Sequence, residues 1–240
     1  MNTSRESFND YLARRMMEGE SNIWIGNRVK INYVYKKTKK HIKNARTACE
    51  VGFGEGYLLK ILHKNGLKVV GIDISSYLVN KLRNRFDTDG LDIELIQGDI
   101  SKIELEERKF DVLFCFDVLE HIPNMEKAIK NMKKLLSSGG LLVGTLPFRE
   151  DVHENMVVCP KCKCEFHRFG HYHSFEKIEE LKQLLGPDFE ILEIGEVLFF
   201  QNVLDIIRYI IEKIWMQVFR KKTALTVYFV TKLKKIDQDA

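Results

Sequence analysis

Continuous apolar runs alternate along the chain with stretches of helical periodicity. The runs fall just before Gly52, at 67–75 (LKVVGIDIS), 93–100 (IELIQGDI), 110–119 (FDVLFCFDVL) and 141–148 (LLVGTLPF). Strands buried on both faces read this way, without polar alternation. Between them Tyr57, Leu58, Leu59, Ile61 and Leu62 cluster on one side of a short helix, and 76–86 predicts another. A third helix runs from a cap at Asn124 to residue 136, with Met125, Ala128, Ile129, Met132 and Leu135 on its apolar side. Asp87-Thr88-Asp89-Gly90 and Ser137-Ser138-Gly139-Gly140 supply turns. Five strand–helix units in this order predict an α/β fold, a doubly wound sheet with right-handed crossovers and helices on both faces.

The chemistry gathers at the ends of these strands. Glu50-Val51-Gly52-Phe53-Gly54-Glu55-Gly56 joins the first strand to its helix. Glycines there allow a tight turn and close approach of a ligand to bare backbone. The following helix start offers free N–H groups and a positive dipole end to an anionic ligand. The spacing is G-x-G-x-G, whereas a dinucleotide fingerprint reads G-x-G-x-x-G. Asp73 falls 17 residues after Gly56, at the end of the second strand. Ligands bind beyond the carboxyl ends of such strands, and a carboxylate there can accept both hydroxyls of a ribose. Ser75 and Ser76 also suit a helix cap, so a turn or capping role competes.

The E-x-G-x-G-x-G run resembles motif I of the class I S-adenosylmethionine-dependent methyltransferases. The stretch 110–123 (FDVLFCFDVLEHIP) resembles the fourth motif of their small-molecule, methyltransferase-11/23-like branch. The resemblance covers about residues 46–148 and resumes at 223–233. It implies a Rossmann-like, seven-stranded, mostly parallel sheet whose last strand is antiparallel. The sixth strand is then expected at 190–197 and the helix before it at 174–185, capped by Ser174. It further implies that Glu50, Gly52, Gly54 and Gly56 position the methionine part of the cofactor and that Asp73 and Ile74 hold the ribose side. Asp99 would accept from the adenine amino group, with Ile100 flanking the ring. Cys115, Phe116 and Asp117 would line the methionine end.

Residues 149–173 depart from the core pattern. Three of the chain's five cysteines and four of its seven histidines fall there. Cys159-Pro-Lys-Cys162 is a knuckle that can aim two thiolates at one metal, and zinc takes four N or S ligands in a structural site. His167 and His171 complete a candidate set, with Cys164 and His173 competing. An ordered substrate loop is the other reading, since a segment after the fifth strand lies where substrate enters. A redox pair lacks the surrounding pattern it needs. The C-P-x-C…F-H-R-x-G-H-x-H-S-F pattern recurs in a subgroup of the same methyltransferases.

The N-terminal residues 1–45 read as helices, with an apolar stripe of Tyr11, Leu12, Met16 and Met17 and a second helix over 29–42, positioned to cover the cofactor or only to pack. The segment 199–220 is apolar but interrupted by Asp205, Arg208, Glu212 and Lys213. Packing on the domain, a homodimer interface and a peripheral membrane contact beside Arg220-Lys221-Lys222 compete for it. A length of 240 residues suits one domain, 1–240, with a cofactor-binding core at 46–148 and a C-terminal part at 174–240. A net charge of +4 makes no demand for nucleic acid. No signal peptide or membrane span is read, which makes the cytoplasm, or its inner membrane face, the expected location.

The expected function is methyl transfer from S-adenosylmethionine to an O or N of a small molecule, sugar or lipid-linked acceptor, with zinc an additional candidate cofactor. His121 is the first choice of base and His171 the second, because imidazole titrates near neutrality. The rivals are a non-catalytic metal- or partner-binding protein on this scaffold, and a nicotinamide-dependent oxidoreductase, against which the glycine spacing counts.

Overall fold

A computed structural model describes residues 8–19, 21–105, 107–197 and 225–235. Seven strands form one sheet in the order β3-β2-β1-β4-β5-β9-β8. They are β1 (Thr47–Val51), β2 (Lys68–Asp73), β3 (Ile93–Gln97), β4 (Phe110–Phe116), β5 (Leu136–Phe148), β8 (Phe189–Val197) and β9 (Leu225–Leu233). The pairs β1/β2, β2/β3, β1/β4 and β4/β5 are parallel, and β9 runs antiparallel between β5 and β8. The expected mostly parallel sheet with an antiparallel last strand is therefore present. Two short strands, β6 (Met156–Val158) and β7 (Glu165–His167), form a separate hairpin that the sequence pattern did not predict.

Helices α1 (Phe8–Gly19), α2 (Ser21–Thr38), α3 (Tyr57–Lys64), α4 (Ser76–Thr88), α5 (Met125–Leu135) and α6 (Ile178–Leu185) complete the fold. Strand alternation divides the core in two. Val112, Phe114 and Phe116 of β4 pack with Val34, Leu58, Leu62 and Phe86 on one face. Leu113 and Cys115 pack with Ala128, Ile129, Met132 and Leu181 on the other. Burial on both faces explains the unbroken apolar runs.

Several boundaries differ from the expected ones. β5 begins at Leu136, immediately after α5, so Ser137-Ser138-Gly139-Gly140 lies within the strand. Pairing with β4 shifts register there, and a side chain at Gly140 would lie 3.0 Å from the Phe110 carbonyl oxygen. α6 starts at Ile178, not Ser174. Ser174 Oγ instead accepts from the Glu150 N–H at 3.0 Å, and the Glu180 carboxylate takes the N–H groups of Glu176 and Lys177. β3 stops at Gln97, leaving Asp99 and Ile100 beyond it, and β4 gives way after Phe116 to a 3-10 turn at Leu119–His121. α2 covers Ser21–Thr38 rather than 29–42. Of the anticipated stripe, Tyr11 is exposed and Met17 packs on the core, and Ala13 of α1 is buried. The side chains of Leu12 and Met16, and the whole segment 199–220 with its packing, dimer and membrane readings, lie outside the described residues. Among the described residues no helix is long and apolar enough to cross a membrane.

Candidate active site

Strand order reverses between β1 and β4, and in open α/β sheets this is where a crevice opens at the carboxyl edge. Gly52, Gly54 and Gly56 all have positive φ, at 71°, 50° and 71°. Gly52 donates its N–H to the Ile72 carbonyl at 2.8 Å, which ties the turn to β2. A Cβ on Gly52 would sit 2.2 Å from Val118 Cγ2, and one on Gly56 2.8 Å from the Phe86 ring. The first glycine thus lets the loop pass under the β4 exit, and the third lets α3 and α4 pack. Gly52 and Gly54 keep accessible backbone, while Gly56 is buried.

Three acidic side chains stand around this turn in different states. Glu50 is buried, and one of its carboxylate oxygens has no partner. Burial holds its pKa well above the usual carboxylate range, the Leu59 N–H opposes this, and Asp73 adds to it. Asp73 accepts from the Ser75 N–H at 2.9 Å. Its burial raises the pKa to about 6, against the N–H groups of Ser75, Gly54 and Ile74. The competing capping role goes to Ser75, whose Oγ accepts from the Leu78 N–H. Asp99 is different, because both of its oxygens are already engaged. One takes the Ser101 N–H and hydroxyl at 2.9 and 2.7 Å, and the other faces Lys102 at 2.8 Å. Burial alone would raise Asp99, but Lys102 and Ser101 bring it below the ordinary value.

Among the expected apolar contacts, Ile74 is 47% exposed at the end of β2, where it can meet a ring. Ile100 (4%) and Cys115 (0%) pack in the core behind the sheet, which removes Cys115 from any ligand-facing surface. Phe116 packs with Phe114 at a centroid distance of 5.8 Å and is largely enclosed. Asp117 is the β4-end residue that faces outward. Its φ of 51° is unusual for a non-glycine residue. It is fixed by Thr145 Oγ1 at 2.8 Å and by an ion pair with Lys30 of α2.

The N-terminal helices do lie over this edge. Asp10 of α1 accepts from the hydroxyls of Ser75 and Ser76 and from the Tyr77 N–H, at the start of α4. Arg28 of α2 pairs with Glu55 of the glycine turn at 2.6 Å. Sequence reasoning missed Asp10 and Lys30. Only its Asp117 partner distinguishes Lys30 from the lysines that follow it in the sequence.

The Cys/His segment forms the β6–β7 hairpin with the knuckle at its tip. The Cys159 N–H donates to the Cys164 carbonyl at 2.9 Å, and the Lys163 N–H to the Cys159 carbonyl at 2.9 Å. The histidines go elsewhere. His171 Nδ1 meets a Glu150 oxygen at 2.6 Å, and its backbone N–H donates to His167 Nδ1 at 3.0 Å. His121 Nδ1 donates to the Gly170 carbonyl at 3.2 Å, and His173 Nε2 to the carbonyls of Ile122 and Pro123, both at 3.2 Å. The rings of His121 and His171 lie 4.9 Å apart. Among the described residues, no cysteine sulfur joins a group of three ligand atoms within 4.8 Å of one another, whereas Glu150, His167 and His171 do, as do Glu120, His121 and His171. The set Cys159, Cys162, His167 and His171 is therefore not assembled as one site in this geometry. Partial removal from water, and then the nearby His171, lower the pKa of both His121 and His167. Glu120, which follows Asp117 on the 3-10 turn, is buried with neither carboxylate oxygen hydrogen-bonded. Sequence reasoning assigned roles to neither Glu120 nor Glu150.

Residues 49–144 match the family described as a methyltransferase domain. These residues form a methyltransferase domain. The chain is 31% identical over 116 residues to a ubiquinone biosynthesis O-methyltransferase of Coxiella burnetii, covering 48% of either chain. It is 27% identical over 178 residues to the enzyme of the same name from Glaesserella parasuis, covering 70% of this chain and 74% of the relative. The chain spans about half the length of the Coxiella relatives it matches. Two solved structures share the fold of the methyltransferase domain and its flanks. The N-methyltransferase NodS of Bradyrhizobium japonicum, solved with S-adenosyl-L-homocysteine, superposes with a TM-score of 0.62 at 16% identity, covering 94% of this chain and 98% of that one. A methyltransferase from a complex with the Haloferax volcanii Trm112 methyltransferase activator gives 0.65 at 15% identity, covering 95% and 100%.

Proposed function

We propose that the protein transfers a methyl group from S-adenosylmethionine to an oxygen or nitrogen of a small molecule. The carrying observation is the pair of buried carboxyls at the ends of adjacent strands. Glu50, with an unpartnered oxygen, and Asp73, with a pKa of about 6, flank a glycine turn whose backbone is accessible. A ligand bearing ribose hydroxyls and an ammonium group satisfies such carboxyls, so the residues present fit the cofactor. Asp73 would hold the ribose, Glu50 and the Gly52–Gly54 backbone the methionine portion, and Ile74 one side of the adenine. Asp99, already paired through both oxygens, would reach the adenine only by sharing an acceptor atom.

When bound, the cofactor supplies an electrophilic methyl on a sulfonium, which leaves as neutral thioether. The chain then has no leaving anion to stabilise, and its work is alignment and exclusion of water. Asp117, held by Lys30 and Thr145, shapes the wall between cofactor and acceptor. For a hydroxyl acceptor the proton must be removed as the O–C bond forms. His121 and His171 each donate a hydrogen bond from Nδ1 to an oxygen, which leaves a lone pair on each Nε2. His121 is the first base and His171 the second. The ubiquinone biosynthesis O-methyltransferases support oxygen as the acceptor atom.

The test is calorimetric titration with S-adenosylmethionine and S-adenosylhomocysteine, followed by transfer of labelled methyl to a panel of phenolic, sugar and amine acceptors. Binding by the native protein, at least tenfold weaker in Asp73→Ala, and label on one acceptor class are expected. Absence of cofactor binding in folded protein would overturn the reading.

A further inference from the structure

Glu120 is 1% exposed, and neither of its oxygens has a hydrogen-bond partner. A carboxyl left this way costs free energy unless something else satisfies it. Its neighbours indicate what that is. Ligand atoms of Glu120, His121 and His171 lie within 4.8 Å of one another. The two imidazoles are turned in the same sense. His121 gives its Nδ1 proton to the Gly170 carbonyl, and His171 gives its own to Glu150. Backbone carbonyls and carboxylates in these positions are the partners that fix metal-ligating histidines and leave Nε2 free to bind. The second group, Glu150, His167 and His171, lacks this property. His167 Nδ1 accepts a hydrogen bond from the His171 backbone N–H, so its own proton sits on Nε2, which has no hydrogen-bond partner, and no lone pair faces a cation there.

We propose that Glu120, His121 and His171 bind one divalent first-row cation, with Glu150 as a positioning residue that orients His171. Two imidazoles and one carboxylate suit zinc and similar ions, and they leave coordination positions open. Metal–ligand bonds of about 2.0–2.2 Å place ligand atoms roughly 3–4 Å apart, so an inward adjustment of about 1 Å completes the site. His121 is exposed, which gives the ion a path from solvent. The site joins two parts of the chain, the 3-10 turn after β4 and the segment after the β6–β7 hairpin. It does not use the cysteine knuckle. An ion there would occupy both lone pairs assigned above to proton removal, and would instead lower the pKa of an acceptor hydroxyl bound to it. That consequence rests on the methyl-transfer reading, whereas the site itself does not.

The experiment is metal binding, read without any turnover. Full-length protein stripped with chelator is titrated with Zn²⁺ calorimetrically, and its metal content after dialysis is measured by mass spectrometry. About one Zn²⁺ per chain is expected. His171→Ala and Glu120→Gln should each lose at least tenfold in affinity, Glu150→Gln roughly 10- to 100-fold, and Cys159→Ser/Cys162→Ser nothing. Glu120→Gln keeps the shape of the side chain, and circular dichroism of each variant checks its fold. Substitution with Co²⁺ tests the ligand set in the unmodified protein, where a spectrum without thiolate charge transfer is expected. A thiolate band, binding lost only in the double cysteine variant, or no binding to the native protein would each overturn the site. Cofactor titration of the same samples separates this outcome from failure of the methyl-transfer reading.

Discussion

The β1–β3 side of the crevice and the β4–β5 side with its hairpin are built by different rules. On the first side, the strand-end aspartates find partners close by in sequence, although Asp10 of α1 and Arg28 of α2 also reach this edge. Asp73 is held by Ser75, and Asp99 by Ser101 and Lys102. On the second side, partners come from afar. Lys30 and Asp117 are 87 residues apart, His121 and Gly170 are 49, and Thr145 and Asp117 are 28. The aspartate turns of the first side are a property of strand ends and need only the sheet, with α1 and α2 laid over them. The second exists only after an N-terminal helix, a β4 turn and a late hairpin have converged. Cofactor binding and acceptor chemistry should accordingly fail separately.

The largest effect expected is on the local side. Gly52→Ala places a Cβ 2.2 Å from Val118 at a φ of 71°. Backbone strain and overpacking together should cost about 3–4 kcal/mol, read by urea denaturation. Gly66→Ala, at a φ of 83° with nothing within 4 Å, carries only the backbone part, about 1–2 kcal/mol.

Asp73→Asn comes next. The folded protein holds the Asp73 proton more tightly than the unfolded chain does, with a pKa of about 6 against 3.8. Its contribution to stability is therefore lost as pH rises through this window, by up to ~3 kcal/mol. The stability difference, variant minus wild type, should grow from pH 4 to pH 6.5 and then level off. The same variant should bind S-adenosylmethionine at least tenfold more weakly at pH 7, and wild-type affinity should drop below pH 6 as the carboxylate protonates. A flat difference profile would show that Asp73 titrates normally.

Lys30→Met probes the assembled side. It removes the cation from Asp117 and should lower kcat/KM about tenfold, or ~1.4 kcal/mol, while cofactor affinity changes less than threefold. Equal losses in both would break the distinction between the two sides. Smallest of all, Arg28→Ala removes an ion pair whose arginine is largely in solvent, and should change stability by less than ~1 kcal/mol.

The same contrast explains what could be read from the sequence. Buried parallel strands announce themselves as apolar runs, and Glu50, Gly52 and Asp73 stand at fixed offsets from strand ends, so the sheet and the local side were legible. Cys115 and Ile100 were expected in the crevice because the family resemblance implies it. Side chains alternate across a strand, however, and the period places Cys115 behind the sheet, while Ile100, past the end of β3, packs into the same core cluster. Lys30, Glu120 and Glu150 carried no pattern of their own, because their roles depend on partners tens of residues away. His167 and His171 were grouped with the cysteine knuckle as one ligand set, but the two rings stack on each other beside Glu150 and no cysteine sulfur joins them.

β9 lies between β5 and β8, and among the described residues β8 pairs with no other strand. During synthesis the five parallel strands can associate as they leave the ribosome, yet β8 must wait for a strand that begins 28 residues after its own end. Until then the outer flank of β5 stays open, a lone edge strand able to recruit a foreign one. Folding on the ribosome therefore divides this chain in time, with the crevice framed early and the sheet closed last.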